Sequence, residues 1–392
     1  MWFKRLLENK LWQALKSRPV VLLTGARQTG KISLLQHELP DTEYVTLDYI
    51  AKAEEAENNP SFFLNQFKNQ VILDEIQYAP SLFREIKKHV DRQRDLYGKW
   101  VLTGSQKFPL MNGVSESLAG RIAILHLETL SAKELRKSKY FNQSQLNDFL
   151  WIGGFPEVWA NRLLSPQDFF QDYIQTYLER DLKDIIQVKN LRDFQRFIRI
   201  CATRSGQLVN YSDLANNIGV SGNTIKMWLG ALETAGIIYL LPPYYANIGK
   251  RLIKAPKLYF ADHGLMAFLL NISSLKNWNE HPYKGQLWEN FVFSEFVKIF
   301  HLVPGTNIFF YRDQNGVEID FVIEANGNLQ FVEAKAFERI DDRKLNFNKV
   351  IKYFPKAECV LANTNAESRP MRLKNYLAFN PLLHDLQGES NL

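Results

Sequence analysis

Through the first third of the chain, runs of four or five apolar residues alternate with stretches of helical periodicity. Val20-Val21-Leu22-Leu23-Thr24, Tyr44-Val45-Thr46-Leu47-Asp48, Val71-Ile72-Leu73-Asp74, Trp100-Val101-Leu102-Thr103 and Ile122-Ala123-Ile124-Leu125 read as strands. Phe3, Leu6, Leu7, Leu11 and Leu15 recur at helical spacing and predict an opening amphipathic helix that Pro19 ends. Leu82 to Leu96 predicts another helix. Strands separated by helices predict an α/β unit, a parallel sheet covered on both faces, over residues 1–130.

The pattern then changes. Residues 131–206 read as a helical lid or connector, with a loop at Trp151-Ile152-Gly153-Gly154-Phe155-Pro156 and a long helix from Gln171 to Lys189. In residues 207–272, Ser212 is placed to cap a helix from Asp213 to Ile218, which Gly219 ends. Ser221 or Gly222 starts a second helix through Ala235, and strands follow at Ile237–Leu241 and Lys257–Ala261, flanking a turn at Asn247–Arg251. Helix, turn, helix and hairpin make a winged-helix pattern. In residues 273–392, Asn326-Gly327 between two alternating runs predicts a two-residue hairpin. That register sets Asp320 opposite Glu333 and Glu318 opposite Lys335, all on one face, with Ile319, Phe321, Val332 and Ala334 on the other. Tyr311-Arg312 is expected to begin the preceding strand, and the tail after Pro381 to be featureless.

Composition changes this picture little. With 392 residues, several domains are expected. A net charge of +6 mildly favours nucleic acid or another anionic surface without establishing either. Cys201 and Cys359 have no metal-type spacing and point to a reducing compartment. Charges interrupt the apolar residues of the N-terminus, and no window approaches ~18 uncharged apolar residues, so a cytoplasmic location away from membranes is expected.

The candidate chemistry begins where the first strand ends. Gly25-Ala26-Arg27-Gln28-Thr29-Gly30-Lys31 is a phosphate-binding loop between a strand and a helix. Its glycines let backbone N–H groups turn toward a phosphate, and Lys31 adds a positive charge. The next position ordinarily carries the Ser or Thr hydroxyl that binds Mg²⁺; here it is Ile32, and Ser33 points about 100° away on a helix. Asp74, at the end of an apolar strand, is placed to hold Mg²⁺, and Glu75 to orient water. Ser105 or Gln106 either senses the terminal phosphate or forms a plain turn; Arg121 is either a phosphate-facing arginine of this or a neighbouring subunit or a surface residue.

Gly-Ala-Arg-Gln-Thr-Gly-Lys, Val-Ile-Leu-Asp-Glu-Ile-Gln, Leu-Thr-Gly-Ser-Gln and Leu-Ala-Gly-Arg, in that order, resemble the prokaryotic AAA-type ATPases of the AAA+ superfamily that carry a DUF4143 C-terminal region. Tyr177-Leu178-Glu179-Arg180-Asp181-Leu182 shares the resemblance, with Arg180 and Asp181 as either a second sensor or an ion pair. The resemblance implies ATP and Mg²⁺ as ligands, with Ile32 as a departure that weakens hydrolysis. It also includes a C-terminal part similar to the PD-(D/E)XK nuclease core. There Asp320, Glu333 and Lys335 would be catalytic, and Glu289, in Gly285-Gln286-Leu287-Trp288-Glu289-Asn290, would join Asp320 and Glu333 on a metal. The plain alternative is a solvated strand face in which Lys335 pairs with Glu318. For DNA, Asn223, Thr224 and Lys226 on the second helix and Lys250, Arg251, Lys254 and Lys257 on the wing are the candidate contacts, against a packing module that relays nucleotide state. A protein partner and a homo-oligomer are compatible with the same residues.

Overall fold

The computed structural model describes residues 2–104, 117–178, 191–245, 255–325, 327–338, 343, 345–365, 367, 370–373 and 375–385. The chain divides into two compact units, Met1–Thr129 with Thr234–Gly236, and Leu130–Glu233 with Ile237–Leu392. Residue 130 begins the second unit, and residues 206 and 272 lie within it.

The first unit is built on β1 (Val20–Thr24), β2 (Glu43–Thr46), β3 (Val71–Asp74), β4 (Trp100–Gly104) and β5 (Ile122–His126). They form a parallel sheet in the order β2-β3-β4-β1-β5. Successive strand residues face opposite sides, and two separate cores result. Val20, Leu22, Leu73, Trp100 and Leu102 pack with α5 (Ser81–Arg92) and its neighbours α3 (Ile50–Asn58) and α4 (Pro60–Asn65). Val21, Leu23, Ile72 and Val101 pack with α1 (Glu8–Ser17) and α2 (Lys31–Glu38). The opening helix is shorter than its periodicity predicts. It starts at Glu8, whose carboxylate accepts the Arg5 backbone N–H at 2.7 Å, and Phe3 and Arg5 are buried ahead of it.

The second unit opens with a capping box, in which the Ser131 hydroxyl and the Glu134 carboxylate each accept the other's backbone N–H. Trp151 and Ile152 belong to a helix, Phe149–Ile152, rather than a loop. The long helix expected from Gln171 is a helix at Pro166–Tyr173 that passes into a π-turn at Ile174–Leu178. Arg180 and Asp181 lie outside the described residues. After α6 (Leu191–Thr203) come α7 (Tyr211–Ile218) and α8 (Gly222–Thr234). The cap of α7 is Asn210, whose side chain accepts the Asp213 N–H at 3.0 Å; Ser212 lies already inside the helix. β6 (Ile238–Leu241) then pairs antiparallel with β7 (Lys257–Phe260). Asp262 caps α9 (His263–Leu269) and also accepts the Gly154 N–H at 2.9 Å, fastening that loop to the helix.

Behind α10 (Lys284–Phe300) stands a mixed sheet of β8 (Ile308–Arg312), β9 (Glu318–Ala325), β10 (Asn328–Lys335), β11 (Glu358–Asn363), β12 (Met371–Leu373) and β13 (Tyr376–Phe379), in the order β12-β13-β11-β10-β9-β8. Tyr311 and Arg312 end β8 instead of beginning a strand. The hairpin register is the expected one, with Ala325 opposite Asn328 and Phe321 opposite Val332. Asn326 lies outside the described residues. Neither face of this hairpin is solvated: Phe321 packs on Phe293 of α10, and Phe331 on Phe354 from the other side. The stretch after Pro381 is anchored up to Asp385, which pairs with Arg136 at 2.5 Å and Lys133 at 3.5 Å, while Leu382 and His384 are buried. Among the described residues no helix is long and apolar enough to cross a membrane.

Candidate functional site

In a parallel sheet, ligands gather at the carboxyl ends of the strands. β1 ends at Thr24, and the loop from Gly25 to Gly30 joins it to α2, which begins at Lys31. Gly25, Gln28 and Gly30 all take positive φ, so the loop curls on itself. A Cβ on Gly25 would run into the Leu127 carbonyl oxygen, so only glycine fits there. Thr29 is buried and its hydroxyl donates to Ala26 O at 2.9 Å; Arg27 is half-buried and Gln28 exposed. Lys31 is folded back over the loop and donates to Gly25 O at 3.1 Å and Ala26 O at 3.0 Å. Burial lowers its pKa to about 8, against the attraction of Glu75 and Asp74. A buried ammonium whose hydrogen bonds, among the described residues, go to carbonyls is a group ready for an anion. The loop and Lys31 thus fit a nucleotide phosphate.

The fit to Mg²⁺ is poorer. Ile32 is half-buried on the first turn of α2 with no hydroxyl to give, and Ser33 is exposed. Asp74 ends β3, where its Oδ1 accepts the Thr103 hydroxyl and its Oδ2 the Tyr44 hydroxyl at 2.7 Å. Glu75 follows in the left-handed region at φ 53, a conformation that costs a non-glycine residue energy and is concentrated at functional sites. Its carboxylate accepts from the Gln77 amide. Asp74 would be the protein ligand to the ion, with Glu75 beside it.

One expected member of this pocket, Arg121, is placed elsewhere. Ser105 and Gln106 lie outside the described residues. Arg121 precedes β5, whose first residue, Ile122, pairs with Val20 at the start of β1. Arg121 therefore stands at the amino end of the sheet, a strand's length from the phosphate loop. It is bound to Asp91 at 2.7 Å and corrects the reading of a phosphate-facing arginine within its own subunit. Sequence reasoning missed Arg5, Tyr44 and Thr103. Arg5 is 6% exposed and donates to Thr29 O in the loop at 2.8 Å.

The second cluster lies where α10 meets the β9–β10 hairpin. Lys335 lies 3.0 Å from Asp320 Oδ2 and 2.8 Å from Glu333 Oε2, which resolves the opposed carboxylates. It does not pair with Glu318. Glu318 binds Lys257 of β7 at 2.5 Å and Arg312 at 3.5 Å. Glu289 Oε1 accepts from Tyr259 Oη at 2.6 Å and Lys257 Nζ at 3.3 Å. Burial raises the pKa of Glu289 and Glu333, while Lys335 and Lys257 overcome the same burial at Asp320 and hold it below the ordinary value. The expected metal group of Glu289, Asp320 and Glu333 is not assembled. Among the described residues no set of three or more His, Cys, Asp or Glu is arranged to hold a metal.

On α8, Asn223 and Lys226 are exposed and Thr224 is half-buried. Lys250, Arg251 and Lys254 lie outside the described residues. Lys257 is 2% exposed and points into the acid cluster, which removes it as a contact for DNA phosphate.

Three family models cover most of the chain: an AAA domain over residues 17–136, a domain of unknown function (DUF8612) over residues 143–276, and a domain of unknown function (DUF4143) over residues 284–379. The chain is 32% identical over 336 residues to the uncharacterized protein Rv2008c of Mycobacterium tuberculosis, covering 83% of this chain and 72% of that protein. It is 27% identical over 320 residues to the uncharacterized protein MJ1544 of Methanocaldococcus jannaschii, covering 72% and 68%. Among solved structures, the Walker-type ATPase PABY2304 of Pyrococcus abyssi aligns at 17% identity with a TM-score of 0.48, over 69% of this chain and 96% of that one.

Proposed function

This chain belongs to the AAA-type ATPases that carry a DUF4143 C-terminal region, and we propose that it binds ATP through Gly25–Lys31, hydrolyses it poorly, and uses nucleotide occupancy to switch a binding module. The observation that carries this reading is the pairing of an intact loop with Ile32. Lys31 and the glycine geometry supply phosphate affinity without the side chain at position 32. Completing Mg²⁺ coordination ordinarily needs the hydroxyl that Ile32 lacks. Asp74 would organise the ion and Glu75 the water, so the residual activity would be phosphoanhydride hydrolysis.

The module switched is the pair α7–α8 with the β6–β7 hairpin. We read it as a winged helix, with Asn223, Thr224 and Lys226 as the face offered to DNA or to a protein partner. Among the described residues that face carries one cationic side chain, Lys226, and a salt titration of DNA binding measures its phosphate contacts. Metal-dependent phosphodiester cleavage through Glu289, Asp320, Glu333 and Lys335 is not part of this reading, because two lysines already bind those carboxylates.

The test is ATP binding and steady-state hydrolysis on the chain as it stands and on Ile32→Thr. Binding by both, with faster turnover by the variant, supports the proposal. Equal turnover removes the role of Ile32, and no binding removes the nucleotide switch. Mn²⁺-dependent DNA cleavage that disappears in Asp320→Ala would replace the binding module with a nuclease.

A further inference from the structure

We propose that the ammonium of Lys257 is the resident cation of the C-terminal acid cluster and excludes a divalent metal from it. Glu289 comes from α10, Glu318 and Asp320 from β9, and Glu333 from β10, while Lys257 enters from β7. Lys257 Nζ is 2.5 Å from Glu318 Oε1 and 3.3 Å from Glu289 Oε1, and the side chain is 2% exposed. Period-two alternation in β7 puts Lys257 and Tyr259 on one face, so both polar groups reach the same acids. Tyr259 donates to the Glu289 oxygen that Lys257 also binds.

A divalent ion needs carboxylate oxygens free to close to about 2.0–2.6 Å around a common centre. Here one oxygen each of Glu289 and Asp320, and both oxygens of Glu318 and Glu333, are engaged by cations or N–H and O–H donors. Asp320 Oδ2 accepts from the Ala334 N–H at 2.8 Å and from Lys335 at 3.0 Å. Glu333 accepts from the Asn346 N–H at 2.7 Å on one oxygen and from Lys335 on the other. Lys257, Lys335 and Arg312 set three cations against four carboxylates. Adding a divalent ion beside Lys257 would put two cations in one buried space, so the metal enters only if the ammonium leaves.

The cluster is therefore an ion-pair lock that fastens the β6–β7 hairpin and α10 to the β9–β10 hairpin. A buried pair costs stability mainly when one partner is removed, since an uncompensated charge remains. Lys257→Ala should thus lower the melting temperature and create the metal site that the wild type lacks.

The experiment titrates Mn²⁺ into the full chain without nucleotide, following free Mn²⁺ by electron paramagnetic resonance and unfolding by a thermal ramp. Wild type and Asp320→Asn should take up the same amount of Mn²⁺, so that binding elsewhere cancels. Lys257→Ala should take up one further ion per chain, with a rise in melting temperature, and Lys257→Ala/Asp320→Asn should not. Uptake by the wild type that Asp320→Asn loses overturns the proposal. So does a folded Lys257→Ala that gains no ion. If Lys257→Ala does not fold, the comparison of wild type with Asp320→Asn, repeated with Glu289→Gln, decides alone: equal uptake supports the resident ammonium and unequal uptake overturns it.

Discussion

The Arg5 guanidinium holds the phosphate loop through its backbone, with Nη1 donating to Thr29 O at 2.8 Å while Nη2 donates to Glu128 O at 2.6 Å, beyond the end of β5. One buried arginine thereby ties the loop between β1 and α2 to the exit of the neighbouring strand. Removing it strands two carbonyls that charged donors had satisfied, a loss of about 2–3 kcal/mol. Arg5→Ala is expected to lower the melting temperature and weaken nucleotide affinity together, because the loop loses its brace. Fluorescent-nucleotide titration beside calorimetry checks this; unchanged affinity in a destabilised variant would confine Arg5 to folding.

Lys31 contributes a pH dependence to the nucleotide-free protein above pH 8. Its pKa falls from the ordinary 10.5 to about 8 through burial. Between those values the unfolded chain holds the proton that the folded chain has lost, so stability rises with pH across that window and the full penalty is present below pH 8. The penalty is about 3 kcal/mol by the shift alone. Lys31→Met removes it but also takes the ammonium from Gly25 O, while Ala26 O keeps the Thr29 hydroxyl, so a net gain of about 1–2 kcal/mol at pH 7 is expected. That variant should melt higher than wild type and bind no nucleotide. Because bound phosphate favours the charged amine, wild-type affinity should fall as pH rises above 8. A Lys31→Met protein that melts lower at pH 7, or an affinity flat from pH 7 to 10, contradicts this account.

Gly25 tests the cradle without touching any charge. Its φ of 150 and the adjacent Leu127 carbonyl leave no room for a methyl group. Gly25→Ala should displace the loop, abolish nucleotide binding and cost about 1–3 kcal/mol of stability. Gly120→Ala is the control. Its φ is also positive, at 74, but nothing stands near its missing Cβ, so only the backbone strain should appear and binding should survive.

Much of the first unit is legible in the sequence because each strand is a short apolar run bounded by polar residues, and the loop residues act through backbone geometry that glycine announces. Arg5 is not legible. It sits in an apolar run that mimics a helix, and its partners are carbonyls 24 and 123 residues away. The placement of Arg121 fails for a related reason: proximity to a strand in sequence does not say which end of the sheet is near the ligand. In the second unit, the Asn326-Gly327 pair in the sequence predicts the facing of Asp320 and Glu333, because a one-residue slip would reverse every side chain. What neutralises them is only half readable. Lys335 is local, but Lys257 belongs to a strand more than sixty residues earlier, where a lysine beside other lysines reads as surface charge. Its alternation with Tyr259 is the signal that could have turned it inward.

Asn290 is the residue through which α10 completes β7, and its chemistry makes a sharp prediction. It is 0% exposed. Its Oδ1 accepts the Phe260 N–H at 2.7 Å and the Ser205 hydroxyl at 2.7 Å, while its Nδ2 donates to Phe260 O at 3.0 Å. The carboxamide thus serves Phe260 as another strand's peptide group would. Asn290→Asp keeps the shape and the acceptor but loses the donor and buries a charge near Phe260 O, whereas Asn290→Ala leaves the N–H and C=O of Phe260 both unpaired. Each should cost about 2–4 kcal/mol at neutral pH. The two differ in acid. Protonation of the introduced carboxylate restores a donor and removes the charge, so the Asn290→Asp deficit should shrink as pH falls toward 5, while that of Asn290→Ala should not. Denaturant unfolding of both variants at pH 5 and pH 8 measures the difference. Parallel losses at the two pH values would mean that volume, and not the paired donor and acceptor, is what β7 requires from α10.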